Sequence, residues 1–199
     1  MLTRTGRVMG VTPIVRIPEI TYAQVTQPLD AGAQGIMIPR VTSPEQVRFT
    51  VECMKYPPDG RRGAVMGRGH TLFQSGSLAE VLPAMNRETF LIVQIETAEA
   101  VSRLEEIVSV PGVDAALVGP TDLSVSLGVA GQMDHPTLVQ AIEATMAACQ
   151  KHRVVPAIHT NDVAMTAAWA RRGMRMVSIS SEAGLLMAGV RQAVGAIRG

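Results

Sequence analysis

FLIVQIETAEAVSRLEEIVSVPGVDAALVGPTDLSVSLG, running from Phe90 to Gly128, is the stretch whose reading decides the fold. It opens on an apolar run that closes on Glu96, continues through an amphipathic segment, and ends on a second apolar run followed by Gly119, Pro120, Thr121 and Asp122. Strands of a parallel sheet buried on both faces are near-continuous apolar runs joined by helices, so this is a strand, helix, strand unit. Glu96 then closes one strand and Asp122 lies just past the next. That sets two hard oxygen donors side by side on the rim where α/β barrels carry their active sites. Gln94 and Glu96, two positions apart, project to the same side of their strand.

The alternation continues on both sides of this unit. Strands are expected at Val11–Pro18, Gly35–Pro39, Phe90–Ile95, Asp114–Val118, Val154–Ile158 and Met176–Ile179, from their short apolar runs. Helices are expected at Tyr22–Ala31, from Ser43 to about Lys55, at Leu78–Arg87, Ala98–Val108, Thr137–His152, Asp162–Arg172 and Glu182–Ile197. Ser43, Pro44 and Gln46 form a capping-box start, and Thr97 caps the helix after Glu96. The first ten residues read as the end of a helix closed by Gly10. Pro120-Thr121-Asp122 reads as a turn, and residues 56–77 as a long loop rich in Gly, Pro and Arg, of the kind that is functional or mobile.

Six strands alternating with helices mean a parallel α/β sheet, either doubly wound or closed as a barrel. A complete eight-fold barrel takes roughly 250 residues, so two strand-helix units are expected to be missing from these 199 residues. The chain is long enough for one buried core and reads as a single domain over residues 1–199.

A composition of 47% hydrophobic and 18% charged residues with a net charge of +1 is that of an ordinary soluble domain and offers nucleic acid no electrostatic footprint. Aromatics, at 3%, are too few for binding by stacking. No apolar stretch reaches the roughly 20 residues of a membrane span, and the N-terminus has no signal-peptide core. Cys53 and Cys149 stand far apart without a CxxC, as reduced core thiols do. The expectation is a cytoplasmic protein without nucleic-acid or membrane partners.

Glu96 and Asp122 lead the candidate metal ligands, because two carboxylates without His or Cys beside them favour Mg²⁺ or Mn²⁺. The alternative is structural, with Glu96 capping the next helix and Asp122 stabilising a turn. Arg16, at its strand end, faces the same rim and suits a substrate carboxylate or a developing enolate oxygen; its alternative is a structural ion pair. The only lysines are Lys55 and Lys151, both at expected helix ends. Schiff-base chemistry needs a desolvated lysine in the site, so metal-assisted chemistry is favoured. The four histidines do not cluster, although His70 and His159 could reach the rim. No P-loop or Gly-x-Ser-x-Gly elbow is present.

Taken in order, VRIP, LDAGAQGIMIPRV, KYPPDGRRG, VQIETAEAV, PGVDAALVGPTDLSVSLG and the His-Pro before the next helix give the chain a resemblance to the HpcH/HpaI family of class II 2-keto-acid aldolases. That family includes 4-hydroxy-2-oxoheptanedioate and 2-dehydro-3-deoxyglucarate aldolases of aromatic and sugar acid catabolism. The resemblance implies a (β/α)₈ TIM-type barrel, with about six of the eight units in this chain. It implies a divalent cation on Glu96 and Asp122, as Mg²⁺, Mn²⁺ or Co²⁺, with Gln94, Thr121 and Asp122 contacting the keto acid and Arg16 stabilising the enolate. Asp30, in LDAGA, matches the acidic partner of the family's catalytic histidine. That histidine belongs to an Asp-x-Glu-His-type segment preceding VRIP, and the chain is expected to begin after it, with His70 a conceivable substitute base.

The implied small-molecule partners are a 2-keto acid such as pyruvate and an aldehyde, with acceptor choice set by loop side chains around Arg61–Phe73. The implied assembly is a homo-oligomer, commonly a hexamer built as a trimer of dimers, in which Gly184 to Ile197 packs on a neighbour. Two alternatives accompany this reading. One is a carbon-carbon lyase for coenzyme A thioesters, of the citrate lyase β type. The other is a non-catalytic, truncated homologue that binds metal and keto acid.

Overall fold

A computed structural model describes residues 2–73 and 76–198; Met1, Gly199 and, from the long loop, Gln74 and Ser75 lie outside it. Among the described residues six strands form one parallel sheet in chain order: β1 (Ile14–Arg16), β2 (Gly35–Ile38), β3 (Phe90–Ile95), β4 (Ala115–Val118), β5 (Val155–Thr160) and β6 (Met176–Ile179). The register runs Arg16 to Met37, Met37 to Ile92, Ile92 to Ala115 and Ala115 to Val155. A sheet of sequential parallel neighbours with its helices on one face is a half-barrel, and β1 and β6 are its two open edges.

The helices are α1 (Leu2–Val8), α2 (Tyr22–Asp30), α3 (Pro44–Met54), α4 (Leu78–Glu88), α5 (Ala98–Ser102), α6 (Leu104–Val108), α7 (Pro120–Ser126), α8 (Pro136–His152), α9 (Val163–Arg171) and α10 (Glu182–Arg198). Their apolar faces meet the outward side chains of the strands. Ile36, Ile38, Leu91, Val93, Ile95 and Ala116 pack with Val25, Leu29, Val47, Met54, Leu104 and Ile107 in one cluster. Val118 and Ile158 pack with Leu123, Leu138, Ile142 and Trp169 in a second. Fully burying an aliphatic side chain of this size contributes about 1.5–3 kcal/mol. The alternate strand positions form a separate cluster without helix residues, Ile92, Ala115, Leu117 and Ala157 with Ile14, Met37, Val155 and Met176 at its margin. This inner layer is the floor beneath the C-terminal rim.

Several expected boundaries shift for local reasons. The first strand contracts from Val11–Pro18 to Ile14–Arg16, because Pro13 and Pro18 bracket it and have no N–H for the ladder. The expected helix Ala98–Val108 breaks at Arg103, which leaves helical geometry and reaches the Thr42 carbonyl and the Glu106 carboxylate. Pro120-Thr121-Asp122 is no turn: it is the first turn of α7, with Pro120 in the opening position that suits a residue lacking an N–H. The fifth strand runs two residues past its expected end at Ile158, to Thr160. The capping box of Ser43 and Gln46 is present as expected. Helix α10 buries none of its residues; Leu186, Val190, Val194 and Ile197 lie exposed at intervals of three and four, as one apolar stripe.

Candidate active site

Three of the residues singled out from sequence converge on the inner face at the C-terminal rim. Arg16 and Gln94 stand in phase with the inner-layer residues Ile14 and Ile92 of their strands, and Glu96 follows in the same phase just beyond β3. The Arg16 guanidinium donates from Nε to Gln94 Oε1 at 2.9 Å, and its Nη2 lies 4.0 Å from Glu96 Oε1. Anchored through Nε, the Arg16 side chain is still half exposed at the rim. An anion entering from the rim meets it first.

Glu96 is 2% exposed, an unusual position for an ionisable carboxyl. Its Oε1 accepts from the backbone N–H of Arg40 at 2.8 Å, whereas Oε2 has no hydrogen-bond partner. Arg40 is held at a φ of +50, in the left-handed region, so the turn after β2 presents its N–H to the carboxylate. Burial pushes the Glu96 carboxyl above its ordinary range; the Arg40 N–H and the Arg16 charge pull it back, and the Asp122 charge adds to the rise. Asp122, at the third position of α7, is exposed and near enough to act on Glu96 electrostatically. Thr121 beside it is also exposed.

An orphaned buried carboxylate oxygen beside a second carboxylate is the donor set of a hard divalent cation. Among the described residues no group of three or more His, Cys, Asp or Glu forms a metal cluster. The chain thus offers two carboxylates and leaves the remaining coordination to water and substrate oxygens, as Mg²⁺ and Mn²⁺ accept.

Gly119, at the end of β4, is the close-approach position of the site. A Cβ there would meet Gln94 Nε2 at 3.1 Å and Glu96 Oε2 at 3.4 Å. We expect Gly119→Ala to leave the fold intact, since the φ of −101 suits any residue. It should weaken Mn²⁺ binding about tenfold by crowding Gln94 and Glu96, at the low end of the roughly 10–100-fold that loss of a ligand's supporting contacts costs. Calorimetric titration with Mn²⁺ checks this; unchanged affinity would mean that Glu96 does not depend on this packing.

Asp30, expected as the partner of a catalytic histidine, does not join these residues. It ends α2, which returns antiparallel to the strands. Four residues later Gln34 donates to the Pro13 carbonyl at the N-terminal end of β1. Asp30 therefore lies at the N-terminal end of the sheet, opposite the rim, paired at 2.7 Å with Arg62 and at 3.7 Å with Arg68. His70 lies there too, in a short 3₁₀ turn (Gly69–Thr71) beside Asp30, and so does not reach the rim as the sequence suggested. The loop carrying Arg61–Phe73 returns past α2, with the Gly63 N–H on the Tyr22 hydroxyl and Gly69 against Ala31.

Neither ring nitrogen of His70 makes a hydrogen bond, and burial, with the Arg62 charge, pushes the imidazole below its ordinary 6.5. The folded value lies under the unfolded one, so the stability carried by neutral His70 is complete above about pH 6.5 and is lost as pH falls through the folded value. We expect thermal melts of wild type to lose stability on acidification below pH 6.5, and His70→Gln to flatten that part of the profile. Parallel curves would contradict this.

One feature of the site was missed from sequence. The Arg40 N–H carries no sequence signal beyond its place after a strand-ending proline. His159, which the sequence placed within reach of the rim, projects to the inner face in phase with Val155 and Ala157, because the strand runs past Ile158 to Thr160.

Fold and site together define a barrel-type α/β protein with a paired-carboxylate, arginine-lined rim. A family model described as HpcH/HpaI aldolase/citrate lyase matches residues 4–188, so this chain belongs to that family. The hydroxypyruvate/pyruvate aldolase of Sagittula stellata is 35% identical over 176 residues, 88% of this chain and 69% of that one. The 4-hydroxy-2-oxo-heptane-1,7-dioate aldolase of Salmonella typhimurium is 33% identical over 180 residues, 89% of this chain and 67% of that one. The crystal structure of an HpcH/HpaI aldolase from Desulfitobacterium hafniense superposes with a TM-score of 0.93 at 37% identity, covering 99% of this chain and 76% of that one. No helix among the described residues is long and apolar enough to cross a membrane.

Proposed function

We propose that this protein is a divalent-metal-dependent 2-keto-acid aldolase that adds the enolate of pyruvate or a close relative to an aldehyde, and in reverse cleaves a 4-hydroxy-2-oxo acid. The observation that carries the reading is Glu96, a buried carboxylate with one oxygen held by the Arg40 N–H and the other unpartnered. Glu96 and Asp122 hold the cation, Mg²⁺ or Mn²⁺. When bound, it supplies Lewis-acid stabilisation of the charge developing on the keto oxygen. Arg16, fixed by Gln94, takes the keto-acid carboxylate or the enolate oxygen with its outer nitrogens. Gln94 fixes that guanidinium, and Thr121 and Asp122 line the approach.

The test is exchange of the pyruvate methyl protons in D₂O, followed by NMR with and without Mn²⁺ or Mg²⁺, alongside cleavage assays on 4-hydroxy-2-oxo acids. Metal-dependent exchange and cleavage are expected. Turnover of malyl-type thioesters in place of the free acids would move the protein to the coenzyme A branch of the family. A folded protein that binds Mn²⁺ and pyruvate without exchange would be a non-catalytic homologue.

As to partners, we propose that the protein assembles with further copies of itself in the cytoplasm. The exposed apolar stripe of α10 supports this, since apolar patches favour association. Leu186→Asp with Val190→Asp should lower the sedimentation mass; an unchanged mass would exclude α10 from the interface.

A further inference from the structure

We propose that His159 is the acid-base group of this site, the side chain that takes a proton from the keto acid and returns it to the aldehyde oxygen; the inference rests on the aldolase reading above. The argument is one of register. Ile95 pairs with Val118, Val118 with Ile158, and His159 with Ser178. The ladder continues one step further between the first pair, where the Gly119 N–H donates to the Ile95 carbonyl at 3.1 Å. Glu96, Gly119, His159 and Ser178 therefore share one rung at the C-terminal end of the sheet.

Side chains on one rung of a parallel sheet face the same way. Glu96, in phase with Ile92 and Gln94, and His159, in phase with Val155 and Ala157, both face inward. Between them β4 contributes Gly119, which has no side chain. Strand spacing puts the two Cα atoms about 10 Å apart. Imidazole and carboxylate thus stand on the two sides of Gly119, with no side chain of β4 between them.

The ring is also held for the task. His159 Nδ1 lies 2.9 Å from the Ser178 hydroxyl, and the residue is only half-buried. Engaging Nδ1 leaves Nε2 for substrate and limits rotation of the ring. His70, the other histidine considered for the rim, is buried at the opposite, N-terminal end of the sheet.

The proton balance closes without a further reactant. His159 Nε2 takes a proton from C3 of pyruvate; the C–H electron pair becomes the C2–C3 double bond, and the carbonyl π pair moves to the keto oxygen. The enolate carbon then bonds to the aldehyde carbon, whose π pair moves to its own oxygen. That oxygen takes the proton from the imidazolium, which restores neutral His159.

The experiment is pyruvate methyl exchange in D₂O with Mn²⁺, on wild type, His159→Gln, His159→Ala and Ser178→Ala, with Mn²⁺ and oxalate affinities measured on each. His159→Gln should exchange about 10²–10⁴-fold more slowly, the usual contribution of a positioned acid-base group, while binding Mn²⁺ and oxalate as wild type does. Added imidazole should restore part of the rate to His159→Ala, which a merely structural histidine would not allow. Ser178→Ala should fall between wild type and His159→Gln. Exchange by His159→Gln within a few-fold of wild type would overturn the role of His159 and leave the aldolase reading standing. No exchange in metal-loaded wild type would overturn both.

Discussion

Glu96→Gln should abolish the metal-dependent part of pyruvate methyl exchange, a loss on the order of 10³-fold. Lewis-acid stabilisation of an enolate oxygen contributes about 4 kcal/mol, and each 1.4 kcal/mol or so is tenfold in rate. The variant removes the charge while keeping the shape and the acceptor for the Arg40 N–H. A second readout is independent of turnover. In the metal-free protein the Glu96 carboxyl sits above its ordinary 4.5, chiefly through burial. Its folded value exceeds the unfolded one, so its contribution to stability is complete below about pH 4.5 and is lost as pH rises through the folded value. Above that folded value the ionised carboxylate therefore costs stability. Metal-free Glu96→Gln should melt above metal-free wild type, and Mn²⁺ should raise the melting temperature of wild type alone. A variant that still gains stability from Mn²⁺ would remove Glu96 from the metal site.

Asp30→Ala should cost about 3–5 kcal/mol of folding stability, the penalty for leaving a buried charge without its partner. Arg62 is 2% exposed, its guanidinium 2.7 Å from Asp30 and stacked 4.7 Å over the Tyr56 ring. Arg68, at 3.7 Å, is exposed and adds little. Urea unfolding of Asp30→Ala, with Asp30→Ala/Arg62→Met as its partner, separates the readings of this residue. The double variant should recover much of the loss, because it removes the stranded charge as well. A stable Asp30→Ala protein with impaired exchange would instead return Asp30 to the chemistry that the family resemblance implied.

These two residues also mark where sequence reading succeeded and where it stopped. Glu96, Gln94 and Arg16 were legible because a strand has a period of two and parallel strands end on one rim; position along the strand was enough to bring them together. Asp30 lies in an equally recognisable stretch, yet it closes a helix that runs back against the strands, and direction of travel placed it at their N-terminal end beside Arg62 and His70. His159 was placed within reach of the rim, but a strand end set two residues short left its inward face undetermined. Which face a rim residue takes depends on where its ladder stops, and partners distant in the chain decide that.

The order of elements, the caps at Ser43 and Thr97, the parallel alternation and the carboxylates at the strand ends follow from the sequence alone, because each is written in contacts between near neighbours. The unpartnered oxygen of Glu96, the N–H of Arg40 that holds its other oxygen, the pairing of Asp30 with Arg62, and the rung that sets His159 across Gly119 from Glu96 were decided by the tertiary structure. Each joins residues from separate strands and loops, and such contacts exist only once the strands of the half-barrel have paired.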